Sequence, residues 1–168
     1  MDGNFKAEQT KRKYPEDDCP LMNGSLFLVE ETRHKAYCDA VVETPQATCH
    51  DHKAQSQTNT QAKHLAVTSI VAVACARHGA FCLGSCANLQ KGERQINMDY
   101  ILCQALKLMK IPGVTPTMVL YDIICQYGVH VFTRFLEHIQ FLDFDSPLDI
   151  TMGIGLFHVH GHQDSCGP

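Results

Sequence analysis

The sequence predicts a layered α/β domain, because apolar runs typical of buried strands alternate with patterns typical of helices. Residues 65–76 are rich in Val and Ile, which indicates a strand buried on both faces. Residues 117–124 form a second such run, and a helical pattern follows each of the two runs. The chain has 168 residues, of which 45% are hydrophobic, so we expect a single domain over residues 1–168 built on one core.

The first half of the chain is the less regular half. A basic run at residues 11–13 leads into a turn-rich loop that contains two prolines. Residues 25–30 suit a short strand, and residues 30–42 have helical character. Residues 51–63 consist mainly of Gln, Thr, Ser, Asn and other polar residues, and this composition predicts an exposed connection.

The second half contains the two clearest helices. Residues 97–110 predict a helix with Asn97 as a possible N-cap and Pro112 just beyond its end. Residues 125–141 predict an amphipathic helix whose apolar residues share one side, namely Val129, Phe132, Leu136 and Ile139. Residues 154–162 alternate in polarity, so an extended chain would present His158, His160 and His162 on one face.

The overall composition limits the functional classes. The formal charge is −4 and the pI is about 6.2, which excludes a global basic field for nucleic acid but leaves room for a local patch. We expect a soluble, intracellular protein, because no apolar run approaches the roughly 20 residues that cross a bilayer and no signal pattern is present. Its nine cysteines would then stay reduced, which favours metal binding. Cys103 and Cys125 lie in apolar runs and are expected to be buried hydrophobic residues, whereas Cys82 and Cys86 receive no assignment.

Asp122 is the aspartate whose surroundings suggest a functional role. Asp122 lies among apolar neighbours, where an unpaired carboxylate is costly unless it is paired or holds a metal ion. The alternative is that Asp122 caps the helix that follows it. Asp2 belongs to an Asp-Gly pair, which taken alone indicates a solvated turn.

A group of histidines and one cysteine near the end of the chain suggests zinc. His158 and His162 are four residues apart, and Cys166 follows four residues later. Zinc usually takes four ligands, so one more donor is needed. The candidates elsewhere in the chain are Cys75, His78, Cys49, His50 and His52. The alternative is that these histidines are ordinary surface or core residues.

Five segments, taken in order, carry a family resemblance. They are residues 2–5 (DGNF), 74–79 (ACARHG), 89–100 (LQKGERQINMDY), 121–127 (YDIICQY) and 157–162 (FHVHGH), with Cys166 after them. The series resembles the ordered motifs of Kyakuja-Dileera-Zisupton (KDZ) transposases, which are abundant in fungal genomes, and it spans nearly the whole chain. The resemblance implies a ribonuclease-H-like core that cuts and joins DNA with acidic residues and divalent metal, in the nucleus.

The same resemblance assigns roles to individual residues. It implies that Asp2 on the first strand and Asp122 on a neighbouring central strand are catalytic and hold Mg²⁺ or Mn²⁺. It also implies a zinc-binding insertion, in which His158, His162 and Cys166, with Cys75, form a structural zinc site. The partner it implies is the DNA of the transposon ends.

Three departures from the family pattern bear on activity. Only Met1 precedes Asp2, so we expect a first strand that is cut short. The family's third acid, a Glu on a later helix, has no counterpart before Pro168, and Asn88 stands where relatives commonly carry Asp. We therefore expect an incomplete ribonuclease-H-like core without strand-transfer activity of its own. The alternatives are a zinc-binding interaction module that keeps the basic run, and a non-functional transposon remnant.

Overall fold

The computed structural model describes residues 1–14, 16, 24–41, 64–89, 94–109, 116–143 and 149–159. Its elements in chain order are β1 (Asp2–Asn4), β2 (Gln9–Thr10), α1 (Glu31–Ala40), β3 (Leu65–Val67), β4 (Ser69–Ala74), β5 (Phe81–Leu89), α2 (Gln95–Leu108), β6 (Pro116–Leu120), α3 (Ile124–Glu137), β7 (Asp149–Gly153) and α4 (Leu156–Val159). This confirms the predicted mixed α/β class. Across these ranges, the helices are all too short or too polar to cross a bilayer.

The strands form one three-stranded sheet and two pairs. The larger sheet has the order β1-β4-β5, and both of its pairings are antiparallel. Strands β2 and β3 pair antiparallel, whereas β6 and β7 pair in parallel. The amino group of Met1 donates to the carbonyl oxygen of Leu120 at 2.7 Å. This bond brings the start of β1 next to the end of β6.

The first predicted buried strand is divided in two. The break falls at Thr68, whose backbone N–H and Oγ1 both donate to the carbonyl oxygen of Leu89, at 2.9 and 3.0 Å. Strand β4 then runs between β1 and β5 and ends at Ala74, so the predicted extension to residue 76 is wrong. Val71 is completely buried and Ile70 is half-buried, as expected of a central strand.

Strand β5 has no counterpart among the predicted elements. Its sequence holds Cys, Gly, Ser and Asn, residues that do not mark a strand, yet most of its residues are buried. The predicted strand at residues 25–30 lies along β5 but forms a single bridge, between Leu28 and Cys86. The backbone N–H of Gly84 donates to the Leu26 carbonyl at 2.6 Å, and Gly84 adopts a positive φ of 58°. The segment therefore borders the sheet without becoming a regular strand.

Helix α2 packs on strands β4 and β5, and α1 packs on α2. Helix α1 matches its prediction and begins where the Glu30 carboxylate accepts from the backbone N–H groups of Thr32 and Arg33, at 2.9 and 2.7 Å. Helix α2 begins at Gln95, so the predicted capping role of Asn97 is wrong. Asn97 is instead buried, and its Oδ1 lies 3.1 Å from the His34 ring nitrogen of α1.

Helix α3 begins one residue before its predicted start and contacts the core through Tyr127, Val131 and Phe135. The apolar side that the sequence suggested is exposed, and it consists of Val129, Phe132, Leu136 and Ile139. The regular helix ends at Glu137, and turns continue to Phe141. Among the expected buried cysteines, Cys103 is completely buried and Cys125 is half-buried.

The end of the described chain departs from the predicted extended segment at residues 154–162. Strand β7 ends at Gly153, and residues Leu156–Val159 form the short helix α4. The alternation of His158 with its neighbours across a strand is therefore wrong, because helical residues do not alternate between two faces. His160, His162 and the predicted connection at residues 51–63 lie outside the described residues.

Candidate active site and the Cys75 turn

Asp2 is the first residue of β1, at the edge of the three-stranded sheet. It pairs in register with Ala72 of β4, and its side chain is exposed. One carboxylate oxygen, Oδ1, accepts from the backbone N–H of Gly3 at 2.7 Å. Strand pairing therefore places Asp2 in ordered structure, although its Asp-Gly sequence alone suggests a solvated turn.

Asp122 lies in the turn between β6 and α3. Strand β6 ends at Leu120, two residues earlier than residue 122, so the predicted strand over residues 117–124 is too long. The Oδ1 atom of Asp122 accepts from the backbone N–H of Ile123 at 3.1 Å, and the side chain is half-buried. Ile123 occupies the N-cap position of α3, and no side-chain bond caps the helix. The structure thus does not bear out the alternative of Asp122 as a helix cap.

One backbone contact joins the two segments that carry the aspartates. Asp2 directly follows Met1, whose amino group contacts the Leu120 carbonyl oxygen, and only Tyr121 separates Leu120 from Asp122. Within the described chain, each aspartate has one carboxylate oxygen engaged by a neighbouring N–H. The second oxygen of each is available as a hard ligand of the kind that Mg²⁺ and Mn²⁺ take. We call Asp2 and Asp122 the acidic pair.

The turn between β4 and β5, residues 75–79, holds a cysteine and a histidine in contact. The Sγ atom of Cys75 lies 3.4 Å from Nδ1 of His78. The turn is closed by bonds from the Gly79 N–H to the Cys75 carbonyl and from the Cys75 N–H to the Ala80 carbonyl, both 2.8 Å. Gly79 has a φ of 67°, which suits glycine. We call these residues the Cys75 turn.

The Cys75 turn favours a thiolate. Backbone N–H groups of His78 and Arg77 point at the sulfur, and with the His78 side chain they lower the pKa of Cys75. A thiolate and a neutral imidazole are the two ligand types that zinc prefers. The separation of the two atoms is also compatible with both binding one ion.

Of the other predicted zinc ligands, His158 lies within the described residues. His158 is exposed on α4, and His162 and Cys166 lie outside the described residues, as do Cys49, His50 and His52. Where the chain is described, no group of three or more His, Cys, Asp or Glu side chains is placed to hold a metal ion. The structure thus supplies one cysteine and one histidine, and the complete ligand set stays a prediction.

Two further cysteines lie on β5 behind the turn. Cys82 and Cys86 are buried, and burial raises the pKa of each thiol. The nearby Cys75 also raises the pKa of Cys82, and Cys82 also raises the pKa of Cys86. Buried neutral thiols are poor ligands and pack as small hydrophobic groups, so we leave both outside the site.

The feature that the sequence did not reveal is a buried ion pair between the helices. Asp99 of α2 is completely buried and accepts from Arg134 of α3 through both carboxylate oxygens, with Nε–Oδ2 at 2.6 Å and Nη2–Oδ1 at 2.9 Å. The guanidinium carbon lies 5.0 Å from the centre of the Tyr127 ring. Burial, with the negative charge of Asp99, raises the pKa of Tyr127 well above its ordinary value. The sequence did contain one signal for this ion pair, because Asp99 lies in an apolar helix, where a carboxylate requires a charged partner.

The basic run is exposed and lies at a separate sheet. The Lys11 N–H donates to the His64 carbonyl at 2.8 Å, which ties the run to the β2–β3 pair. The Lys13 ammonium lies 5.3 Å from the centre of the Tyr14 ring. An exposed cluster of three cations is suited to phosphate contacts.

Comparison with known proteins gives one match. Residues 1–167 match the family model described as Kyakuja-Dileera-Zisupton transposase. No curated protein and no solved structure matches significantly.

Proposed function

The chain is a member of the Kyakuja-Dileera-Zisupton transposase family, and from this premise we propose that it carries part of a metal-dependent centre for DNA cleavage and strand transfer. Asp2 and Asp122 are the catalytic residues of this proposal. The observation that carries it is the bond from Met1 to Leu120, at 2.7 Å, because it brings the segments that bear both aspartates together. The bond joins residues that are 119 positions apart in sequence.

The chemistry of the acidic pair fits a divalent cation. Each carboxylate offers an oxygen that the described chain does not engage, and carboxylate oxygens are the usual protein ligands of Mg²⁺ and Mn²⁺. Divalent ions held there would supply Lewis-acid activation of a phosphodiester. The chain's own contribution is to hold Asp2 on a paired strand and Asp122 at a strand end.

The sheet arrangement supports a ribonuclease-H-like core as part of the proposal. Three antiparallel strands, β1, β4 and β5, adjoin the parallel pair β6 and β7 through the contact between β1 and β6. The acidic pair lies at this junction between the antiparallel and parallel parts. The DNA of the transposon ends is the proposed substrate, and the nucleus is therefore the proposed location.

Manganese binding tests the acidic pair directly. We expect calorimetric titration of the purified chain with Mn²⁺ to show a site that Asp2→Asn and Asp122→Asn each weaken by at least about tenfold, since each removes a charged ligand. Asp39→Asn is the matched control, because Asp39 is an exposed aspartate of α1. Equal Mn²⁺ affinity in all four proteins would eliminate the acidic pair as a metal site.

Cleavage of DNA tests the reaction. Two carboxylates hold two ions weakly, so we propose that the 168-residue chain alone performs no strand transfer. Efficient Mn²⁺-dependent cleavage of plasmid DNA by the purified chain would contradict this. In a longer protein that is active, the double change Asp2→Ala and Asp122→Ala is expected to abolish cleavage, and retained cleavage would refute both assignments.

The Cys75 turn favours a second function, that of a zinc-binding interaction module. The contact of 3.4 Å between Cys75 and His78 supports it, together with the lowered pKa of the thiol. We propose a four-ligand site in which Cys75 and His78 supply two ligands and two of His158, His162 and Cys166 supply the others. A module of this kind would keep its metal and its basic run without cutting DNA.

Cobalt substitution tests this second candidate. We expect Co²⁺ to give a thiolate charge-transfer band that Cys75→Ser weakens and His78→Gln alters, because both groups would be direct ligands. His130→Gln is the control, since His130 is an exposed histidine of α3. A spectrum unchanged by Cys75→Ser would remove the turn from the zinc site.

A further inference from the structure

The turn that carries Asp122 is held in place from two sides. On the backbone side, the Tyr121 N–H donates to the Gly153 carbonyl of β7 at 3.1 Å, and the Tyr121 carbonyl accepts from the Ile124 N–H at 3.2 Å. On the side-chain side, the ring of Tyr121 meets the ring of Tyr127 edge to face, with centroids 5.3 Å apart and planes at 87°. Aromatic pairs prefer this geometry. The residue next to Asp122 is therefore anchored by its ring as well as by its backbone.

Tyr127 is itself clamped by the buried ion pair. It is completely buried, and its backbone N–H donates to the Ile123 carbonyl at 3.0 Å in the first turn of α3. The Arg134 guanidinium lies over the Tyr127 ring, and Asp99 fixes that guanidinium by two bonds from the neighbouring helix. A continuous series of contacts thus leads from α2, through Arg134 and Tyr127, to the turn that bears Asp122.

We propose that Tyr127 is a positioning residue for Asp122: its ring, clamped by the Asp99–Arg134 pair, supports Tyr121 and so fixes the turn between β6 and α3. This inference rests on the proposed function, in which Asp122 binds a divalent ion. The ring is the part that acts. Among the described residues the Tyr127 hydroxyl makes no hydrogen bond of good geometry; burial raises its pKa, and the charge and weaker hydrogen bonding of the Asp99 carboxylate add to this.

Three variants separate positioning from a general loss of stability. Tyr127→Phe keeps the ring, whereas Tyr127→Leu removes the contact with Tyr121. Tyr37→Leu is the matched control, because Tyr37 is also completely buried but stacks on Tyr100, between α1 and α2, with ring centroids 5.6 Å apart. Where Tyr127→Leu does not fold, Tyr127→Met replaces it, since methionine adapts to irregular gaps.

Amide hydrogen exchange provides a readout that requires no metal. The N–H groups of Ile123 and Ile124 bond to Asp122 Oδ1 and to the Tyr121 carbonyl, so they report the turn directly. We expect Tyr127→Leu to speed their exchange by at least about tenfold relative to Tyr37→Leu, measured where both variants remain folded. Tyr127→Phe should match the wild type. Equal exchange in Tyr127→Leu and Tyr37→Leu would overturn the positioning role.

Manganese titration of the same variants distinguishes this inference from the proposed function. We expect Tyr127→Leu to weaken Mn²⁺ binding at least about tenfold, and Tyr127→Phe and Tyr37→Leu to keep it within about twofold. Wild-type Mn²⁺ affinity in folded Tyr127→Leu would contradict the positioning role. If the wild type binds no Mn²⁺, the proposed function fails, and the exchange rates alone decide whether Tyr127 fixes the turn.

Discussion

Helices α2 and α3 pack on the same core, yet they bury their residues in different ways. Helix α2 buries nine residues, almost continuously from Ile96 to Ala105. Helix α3 buries three, Tyr127, Val131 and Phe135, and leaves other large apolar residues exposed. Both helices are apolar, so hydrophobicity alone does not explain which face of α3 meets the core.

The buried ion pair accounts for the difference. Arg134 lies seven residues after Tyr127 and three after Val131, on the same side of α3, because residues spaced by i+3 and i+7 share a helical face. Asp99 is buried on α2 and needs a cationic partner. Turning α3 so that Arg134 reaches Asp99 directs Val129 and Leu136 away from the core. One buried charge can therefore set the rotation of a helix against the core.

Removing one partner of the Asp99–Arg134 ion pair should lower the stability of the protein most. Arg134→Met leaves the Asp99 carboxylate buried without its guanidinium, and we expect it to lower the free energy of unfolding by about 3–5 kcal/mol. The control is Lys107→Met, which removes the exposed ion pair of Lys107 with Asp143 at 3.3 Å and should cost less than about 1 kcal/mol. Denaturant titration measures both. Equal losses of unfolding free energy in the two variants would show that the buried pair stabilises the protein no more than the exposed one.

Two valines on opposite faces of α3 provide a milder test. Val131 is 0% exposed and Val129 is 67% exposed, so the same change at both positions compares the two faces of the helix. We expect Val131→Ala to destabilise by roughly 2 kcal/mol, from lost burial and the cavity left behind. Val129→Ala should stay within about 0.5 kcal/mol. A larger loss at Val129 would mean that this face is covered in solution.

The mildest test concerns the contact between α1 and α2. Burial lowers the pKa of His34, so the unfolded chain binds the proton more readily than the folded protein. The free energy of unfolding should therefore fall as the pH drops through the ordinary histidine pKa of 6.5, and this loss is absent at higher pH. His34→Gln should flatten that dependence, measured by thermal denaturation at several pH values. His130→Gln, at an exposed position, should leave the dependence unchanged; a steeper slope in His34→Gln would contradict the assignment.

The sequence predicted what depends on local pattern. Helix α1, with a Glu at its start, follows from short-range signals, whereas the predicted strand over residues 117–124 runs past Asp122, which lies after the end of β6. Strand β5 escaped prediction because its Cys, Gly and Asn residues form a strand only through pairing with β4. The buried face of α3 was not predicted, because Arg134 is a charged residue whose burial depends on its ion pair with Asp99. The contact of Cys75 with His78 could be predicted from their spacing of three residues. The bond between Met1 and Leu120 could not, because it depends on tertiary structure.

The bond between Met1 and Leu120 also bears on how the protein folds. It joins residues 119 positions apart, whereas the β4–β5 hairpin and α2 that packs on it are close in sequence. Contacts distant along the chain form slowly, because closing a long loop costs entropy before any pairing repays it. We expect the hairpin and α2 to become protected first and β1 to dock last. Asp2, on β1, would then take its place beside β4 only at the final step of folding, after the rest of the sheet is in place.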